Sequence, residues 1–176
     1  LLESFNGIEW NELSEKPVLH SFMNSISCKL GEVCFDTHPC LIKKNEEYIY
    51  FGRLNSSLDE RRVFITKSND LINWSEPTKI NIINEEKGNF KNNYYNFVVF
   101  KTNNIFYAFT PYFKAYGIEQ RKYWDGCTLL LSSNDLENWT IINKFKKHEG
   151  RYKDRVNSVL IENDKIKVFF RENCTS

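Results

Sequence analysis

The sequence predicts an all-β chain built from β-propeller blades of four antiparallel strands, about three of them present. Three observations carry this. A Ser-x-Asx-x-x-x-Trp turn occurs three times, at Ser4–Trp10, Ser68–Trp74 and Ser133–Trp139, and its tryptophans lie 64 and 65 residues apart. Between the turns the same strand, polar turn, strand pattern recurs in the same order. The apolar residues are dominated by aromatic and β-branched types, which suit strands, and no segment sustains a helical period.

The elements follow in chain order. Residues 1–19 carry only the end of a blade, closed by the Trp10 turn. Residues 34–82 make a first full blade: Pro39–Phe51 reads as strand, turn and strand, Arg62–Lys67 as a third strand, and Trp74 opens a fourth. Residues 92–145 repeat this, with Phe97–Phe109 as the inner hairpin, Cys127–Ser132 as third strand and Trp139 opening the fourth. Residues 154–176 contain the inner hairpin of a further blade, Ser158–Phe170. In each turn, Ser and Asx side chains are expected to bond nearby backbone amides where the chain reverses. The Trp that follows supplies a large packing surface.

One propeller-like domain, 1–176, is therefore expected, and it is partial. Closed propellers need at least four blades, so the rest of a longer chain or another subunit would complete the ring. A β-sandwich with coincidentally similar turns is the alternative.

Lys+Arg 24 against Asp+Glu 23 leaves a formal charge of +1. That balance supplies no electrostatic footprint for nucleic acid and no polybasic membrane patch. No apolar run reaches the roughly 18 residues that would suggest a spanning helix. Five cysteines without a C-x-x-C pair read as small buried thiols in a reducing, cytosolic setting. No metal or cofactor is expected: there is no Gly-rich phosphate loop, no His-Glu-x-x-His and no Gly-x-Ser-x-Gly.

Ser68-Asn69-Asp70-Leu71-Ile72-Asn73-Trp74 and Ser133-Asn134-Asp135-Leu136-Glu137-Asn138-Trp139 match a Ser-x-Asp-Leu-x-x-Trp blade-closing motif. Through these, and through Asn6–Leu19 followed by Phe35–Pro39, the chain resembles the five-bladed propeller superfamily of arabinanases, xylosidases, levansucrases and invertases. The resemblance implies a carbohydrate ligand in the central funnel. It also implies three carboxylates at the funnel mouth, because cleaving a glycosidic bond needs one carboxyl to protonate the leaving oxygen and one to serve water or the sugar carbon. In that superfamily the base sits at the start of the innermost strand, often directly before a Pro. Here His38 precedes Pro39, Asp36 lies two residues earlier, and Asn96 and Asn157 occupy the corresponding places in the next repeats. His, Asn and Asn are not an acid–base set, which favours binding over hydrolysis.

If the chain hydrolyses, Asp36, Asp154 and Glu172 are the candidate carboxylates. Asp36 equally suits a turn cap, and Glu172 a strand-end charge. His38, Arg53, Tyr94, Tyr95, Asn96, Arg155, Asn157 and Arg171 are the candidate substrate-binding residues. Arginines converging on the axis would suit an anionic sugar or a phosphate. Tyr94, Tyr95 and Trp124 offer flat faces for stacking, Trp124 after a long insertion spanning 112–123. The charge-rich Leu58-Asp59-Glu60-Arg61-Arg62 reads as a solvated turn. Two functions follow: a glycoside hydrolase-like domain acting on a sugar, or a non-catalytic module that binds a glycan or a protein.

Overall fold

The computed structural model describes residues 1–14, 19, 35–55, 60–116, 126–145, 155–163 and 165–171. Among these there are strands and turns and no helix. A short pair, β1 (Leu2–Glu3) and β2 (Asn11–Glu12), brackets the first Trp turn. The first sheet is β3 (Phe35–Lys44), β4 (Glu47–Asn55), β5 (Arg61–Ser68) and β6 (Thr78–Lys79), each antiparallel to the next. The second contains β7 (Asn81–Ile82), β8 (Lys91–Tyr94), β9 (Val98–Thr102), β10 (Ile105–Ala115), β11 (Gly126–Ser133) and β12 (Asn138–Phe145). The third is the hairpin of β13 (Arg155–Glu162) and β14 (Lys165–Arg171).

Inner hairpins turn sharply because asparagine tolerates a left-handed backbone. Asn45, Asn103, Asn104 and Asn163 all have positive φ at these reversals. Beyond the turns, each inner strand slips register at one level. The shift lies between Asp36 and Cys40 in β3, and between Val156 and Ser158 in β13. In the second sheet it lies across 95–97, where β8 gives way to β9 along β10. The first pair past each slip contains a phenylalanine: Cys40 with Phe51, Val98 with Phe109, Ser158 with Phe169. Phe51 packs against Phe97 and Trp139 of the second sheet. Phe51 is 1% exposed and Phe109 5%, whereas Phe169 is 52% exposed.

The Trp turns form as the sequence predicts. Ser68 Oγ accepts from the amides of Asp70 and Leu71 at 3.2 and 2.9 Å, and Asp70 Oδ1 accepts from those of Ile72 and Asn73 at 2.9 and 2.7 Å. The Ser133–Trp139 turn repeats this at 3.2, 2.8, 2.8 and 2.7 Å. Each indole donates to the carbonyl three residues back, Trp74 to Leu71 at 3.0 Å and Trp139 to Leu136 at 2.9 Å. The residue three after the Ser has positive φ in all three copies: Gly7 (71°), Leu71 (63°) and Leu136 (78°). For leucine this conformation is strained. It is held at Leu136 by complete burial. Five hydrogen bonds onto Asp135 and Ser133 fix the turn around it.

The core lies between the first two sheets. Trp139, fully buried, meets Phe97 at 4.9 Å and Phe51 at 6.2 Å edge-on, and Phe51 stacks on Phe97 at 5.7 Å. Ile49, Val63, Ile65, Val99, Ala108, Leu129 and Leu131 fill in around them. Trp74 approaches Tyr50 of its own sheet edge-on, at 6.0 Å, and stays partly exposed.

One strand departs from the sequence pattern. Asn81–Ile82, at the end of the 34–82 repeat, pairs in parallel with β12 of the second sheet. Asn81 N donates to Glu137 O, Ile83 N to Trp139 O, and Asn84 exchanges two hydrogen bonds with the Ile141 backbone. The segment is thus a clasp from one repeat onto the outer edge of the next.

Candidate functional site

The site is built at the start of the inner strands, on the far side of the register slips from the hairpin turns. In the first sheet Asp36 of β3 pairs with Arg53 of β4, and in the third Arg155 of β13 pairs with Arg171 of β14. In the second, Tyr95 N donates to Pro111 O at 3.1 Å, which puts Tyr95 at the same level. Three repeats therefore deliver Asp36, Tyr95 and Arg155 to equivalent positions.

Tyr95 is where the first two sheets meet. The Arg53 guanidinium lies 4.2 Å from the centre of its ring, and that of Arg61, at the start of β5, lies 5.8 Å away. Phe113 supports the ring at 5.2 Å. Arg53 is only 5% exposed, and a cation over a desolvated ring face is attracted by roughly 2 kcal/mol. Asn93 Oδ1 accepts from the Arg61 amide at 2.8 Å, which anchors β5 against β8. The result is a half-buried aromatic plate flanked by two guanidinium groups.

Tyr94 points the other way, as strand alternation requires. It is 1% exposed, its hydroxyl donates to Glu85 Oε1 at 2.8 Å, and its ring lies 5.4 Å from Tyr112. Burial first, and then the Glu85 charge, push this phenol far above its ordinary range. It is a protonated structural donor, and its ring, expected from the sequence to offer a stacking face, is instead buried in the core. Arg62 belongs to the same network, bonded to Glu60 at 3.0 Å and to Glu85, with its guanidinium 5.7 Å from the Tyr94 ring. Residues 60–62 are therefore not a solvated turn: Arg61 and Arg62 open β5 and serve opposite faces of it. The alternation of Arg61 with Val63 and Ile65 carried that signal, and the charge density masked it.

Asn96 falls in the break between β8 and β9 and is 6% exposed. Its Nδ2 donates to Val156 O at 2.9 Å, tying the second sheet to the slip in β13, while its buried Oδ1 has no hydrogen-bond partner. Its place in the structure is a brace between sheets. For Asp36, His38, Arg155, Asn157 and Arg171 the backbone positions are those given above, within β3, β13 and β14. Asp154, Glu172 and Trp124 lie outside the described residues. Of the insertion read as 112–123, residues through Ala115 continue β10.

No protein-family model matches the chain, and no curated protein matches it. Solved structures do. A family 117 glycoside hydrolase produced by the marine bacterium Zobellia galactanivorans matches 77% of this chain and 48% of its own, with a TM-score of 0.54 at 13% identity. The fold is that of β-propeller blades. An N-acetylgalactosamine deacetylase from F. plautii, in complex with blood group B trisaccharide, matches 70% of this chain and 35% of its own, with a TM-score of 0.49 at 15% identity. A Bombyx mori beta-fructofuranosidase of family GH32, in complex with sucrose, matches 74% of this chain and 28% of its own, with a TM-score of 0.49 at 16% identity. The chain spans less than half the length of each of these three proteins.

Proposed function

We propose that the chain is the carbohydrate-recognising part of a glycoside hydrolase-like propeller, holding a sugar at the entrance of its inner strands. The observation that carries this reading is the Tyr95 plate between Arg53 and Arg61, at the level where three repeats converge. The part of the Tyr95 ring that Arg53 leaves open stacks on the C–H face of a sugar ring, and Arg61 beside it donates to hydroxyls or to an anionic substituent. The likeness of fold to a family 117 glycoside hydrolase supports the same reading. In this proposal the propeller has five blades, and further blades, from a longer chain or another subunit, complete it. His38, Arg155, Asn157 and Arg171 line the remainder of the site.

Recognition without chemistry is the reading favoured here. Two of the positions that would carry acids hold asparagine, and one of them, Asn96, is engaged with Val156. A glycan array on the 176-residue chain tests binding, with Tyr95→Ala expected to abolish the signal of whichever glycan the wild type retains. An array with no glycan retained by the folded chain would sink the proposal. Turnover of an aryl glycoside that is lost in Asp36→Asn, Asp154→Asn or Glu172→Gln would instead establish hydrolysis at those carboxylates.

A further inference from the structure

The arginines at the junction of the first two sheets are not compensated alike. Arg62 is neutralised from two sides, by Glu60 at 3.0 Å and by Glu85. Arg53 stands opposite Asp36 in the register of β3 and β4. Arg61 has no such arrangement: among the described residues, no carboxylate bonds to its guanidinium. Asn93, fully buried beside it, gives its Oδ1 to the Arg61 main-chain amide at 2.8 Å and not to the side chain. The half-buried Arg61 guanidinium stands 5.8 Å from the centre of the Tyr95 ring, and that of Arg53 stands 4.2 Å from it. Two like charges thus flank one aromatic plate, an unfavourable pairing that a ligand of opposite charge relieves. The plate and its arginines belong to the joint between the first and second sheets, which lies wholly inside the chain, so neither chain end creates it.

We infer that the sugar held at the Tyr95 plate is anionic and that Arg61 selects its charge. The inference rests on the carbohydrate reading and names the class of sugar within it. Arg53, only 5% exposed and laid against the ring, supports the plate, whereas Arg61 keeps its donors for the ligand. A pyranose lying on the open part of the ring carries its exocyclic substituents at its rim, within reach of the Arg61 side chain. A carboxylate or sulfate there accepts two parallel N–H···O bonds from the guanidinium fork. A hydroxyl in the same place accepts from it without the charge and without the matched pair of oxygens.

An array of paired glycans, probed with the 176-residue chain, tests this. It carries polyuronates beside their carboxyl-reduced forms, and sulfated glycans beside their desulfated forms. The wild type is expected to retain the charged member of a pair about tenfold more strongly than the neutral one. Which pair shows the preference tells a carboxylate from a sulfate. Arg61→Gln removes the charge and keeps an amide donor, so it is expected to hold both members equally weakly. Arg61→Lys is expected to keep a smaller preference that sodium chloride erodes. Thermal melts of both variants are expected to match the wild type, because the Asn93 bond is to the main chain. Equal retention of charged and neutral members by the wild type overturns the inference and leaves the carbohydrate reading standing. A folded chain that retains no glycan overturns both. A folded Arg61→Gln chain with its charge preference intact overturns the role given to Arg61.

Discussion

Trp139→Ala should cost far more stability than Trp74→Ala, although the two residues occupy the same place in the same turn. Their local bonds match: each indole donates to a carbonyl three residues back, at 2.9 and 3.0 Å. What differs is the neighbour. Trp139 is fully buried against Phe51 and Phe97, and a tryptophan side chain removes up to about 250 Å² from water. At about 25 cal/mol per Å² that is roughly 6 kcal/mol, an upper bound because an unfolded chain already buries part of this surface. A loss of about 4 kcal/mol agrees with the range for deleting large buried aromatics. Trp74 keeps part of its surface in water and meets Tyr50 of its own sheet, so about 1–2 kcal/mol is expected there. For a chain of this size each kcal/mol moves the melting temperature by roughly 2–4 °C, giving drops of about 8–16 °C against about 2–8 °C. Urea titration and calorimetry, at a concentration where the chain is single, read both. Equal losses in the two variants would refute the reasoning, since the turn alone and not the stacked sheet would then hold the tryptophan.

Acid should loosen the fold through a small set of carboxylates. Hydrogen bonds from Lys114 and Lys144 hold Glu86 down to about 2; the Asn73 amide and side chain lead in depressing Asp70, while at Asp135 desolvation pushes upward and is outweighed by the combined hydrogen bonds of Asn138, Glu137 and Ser133. These groups bind protons more readily when unfolded, so their contribution is present at neutral pH and is lost as pH falls from about 4.5 towards 2. Asp135→Asn should flatten that acid limb in urea melts recorded across the window, and an unchanged limb would discount the turn carboxylate. Asn96→Ala removes the brace to Val156 O together with a buried, unpartnered oxygen, so hydrogen exchange at β13 should accelerate while global stability changes by no more than about 1 kcal/mol. Tyr94→Phe leaves Glu85 short of a donor and should lower stability by about 1–3 kcal/mol without altering glycan retention, whereas Tyr95→Ala should do the reverse.

Much of the fold was readable because its rules are local. Ser, Asp and Asn at fixed offsets make the Trp turn by bonding to amides a few residues away, and asparagine at the hairpin reversals announces the inner strands. The site was less readable because it depends on which residues cross from sheet to sheet. Tyr94 and Tyr95 are indistinguishable in sequence, yet strand alternation sends the first to Glu85 and the second to Arg53. Arg61 was hidden inside a charged run whose strand began earlier than its hydrophobicity suggested. Asn96 had the right position for a ligand contact and turned out to hold two sheets together, a role set by a backbone carbonyl sixty residues away.

The clasp formed by 81–84 means that the unit copied in the sequence and the unit closed in space are out of phase. The second sheet is finished by a few residues that belong, by homology of pattern, to the repeat before it, as a shingle is nailed through the one beneath. A graft or deletion cut after Asn84 would carry the second sheet away and leave β7 behind, exposing backbone amides along β12. A cut between Ile80 and Asn81 keeps β6 with the first sheet and β7 with the second, and that is the joint at which these repeats can be exchanged.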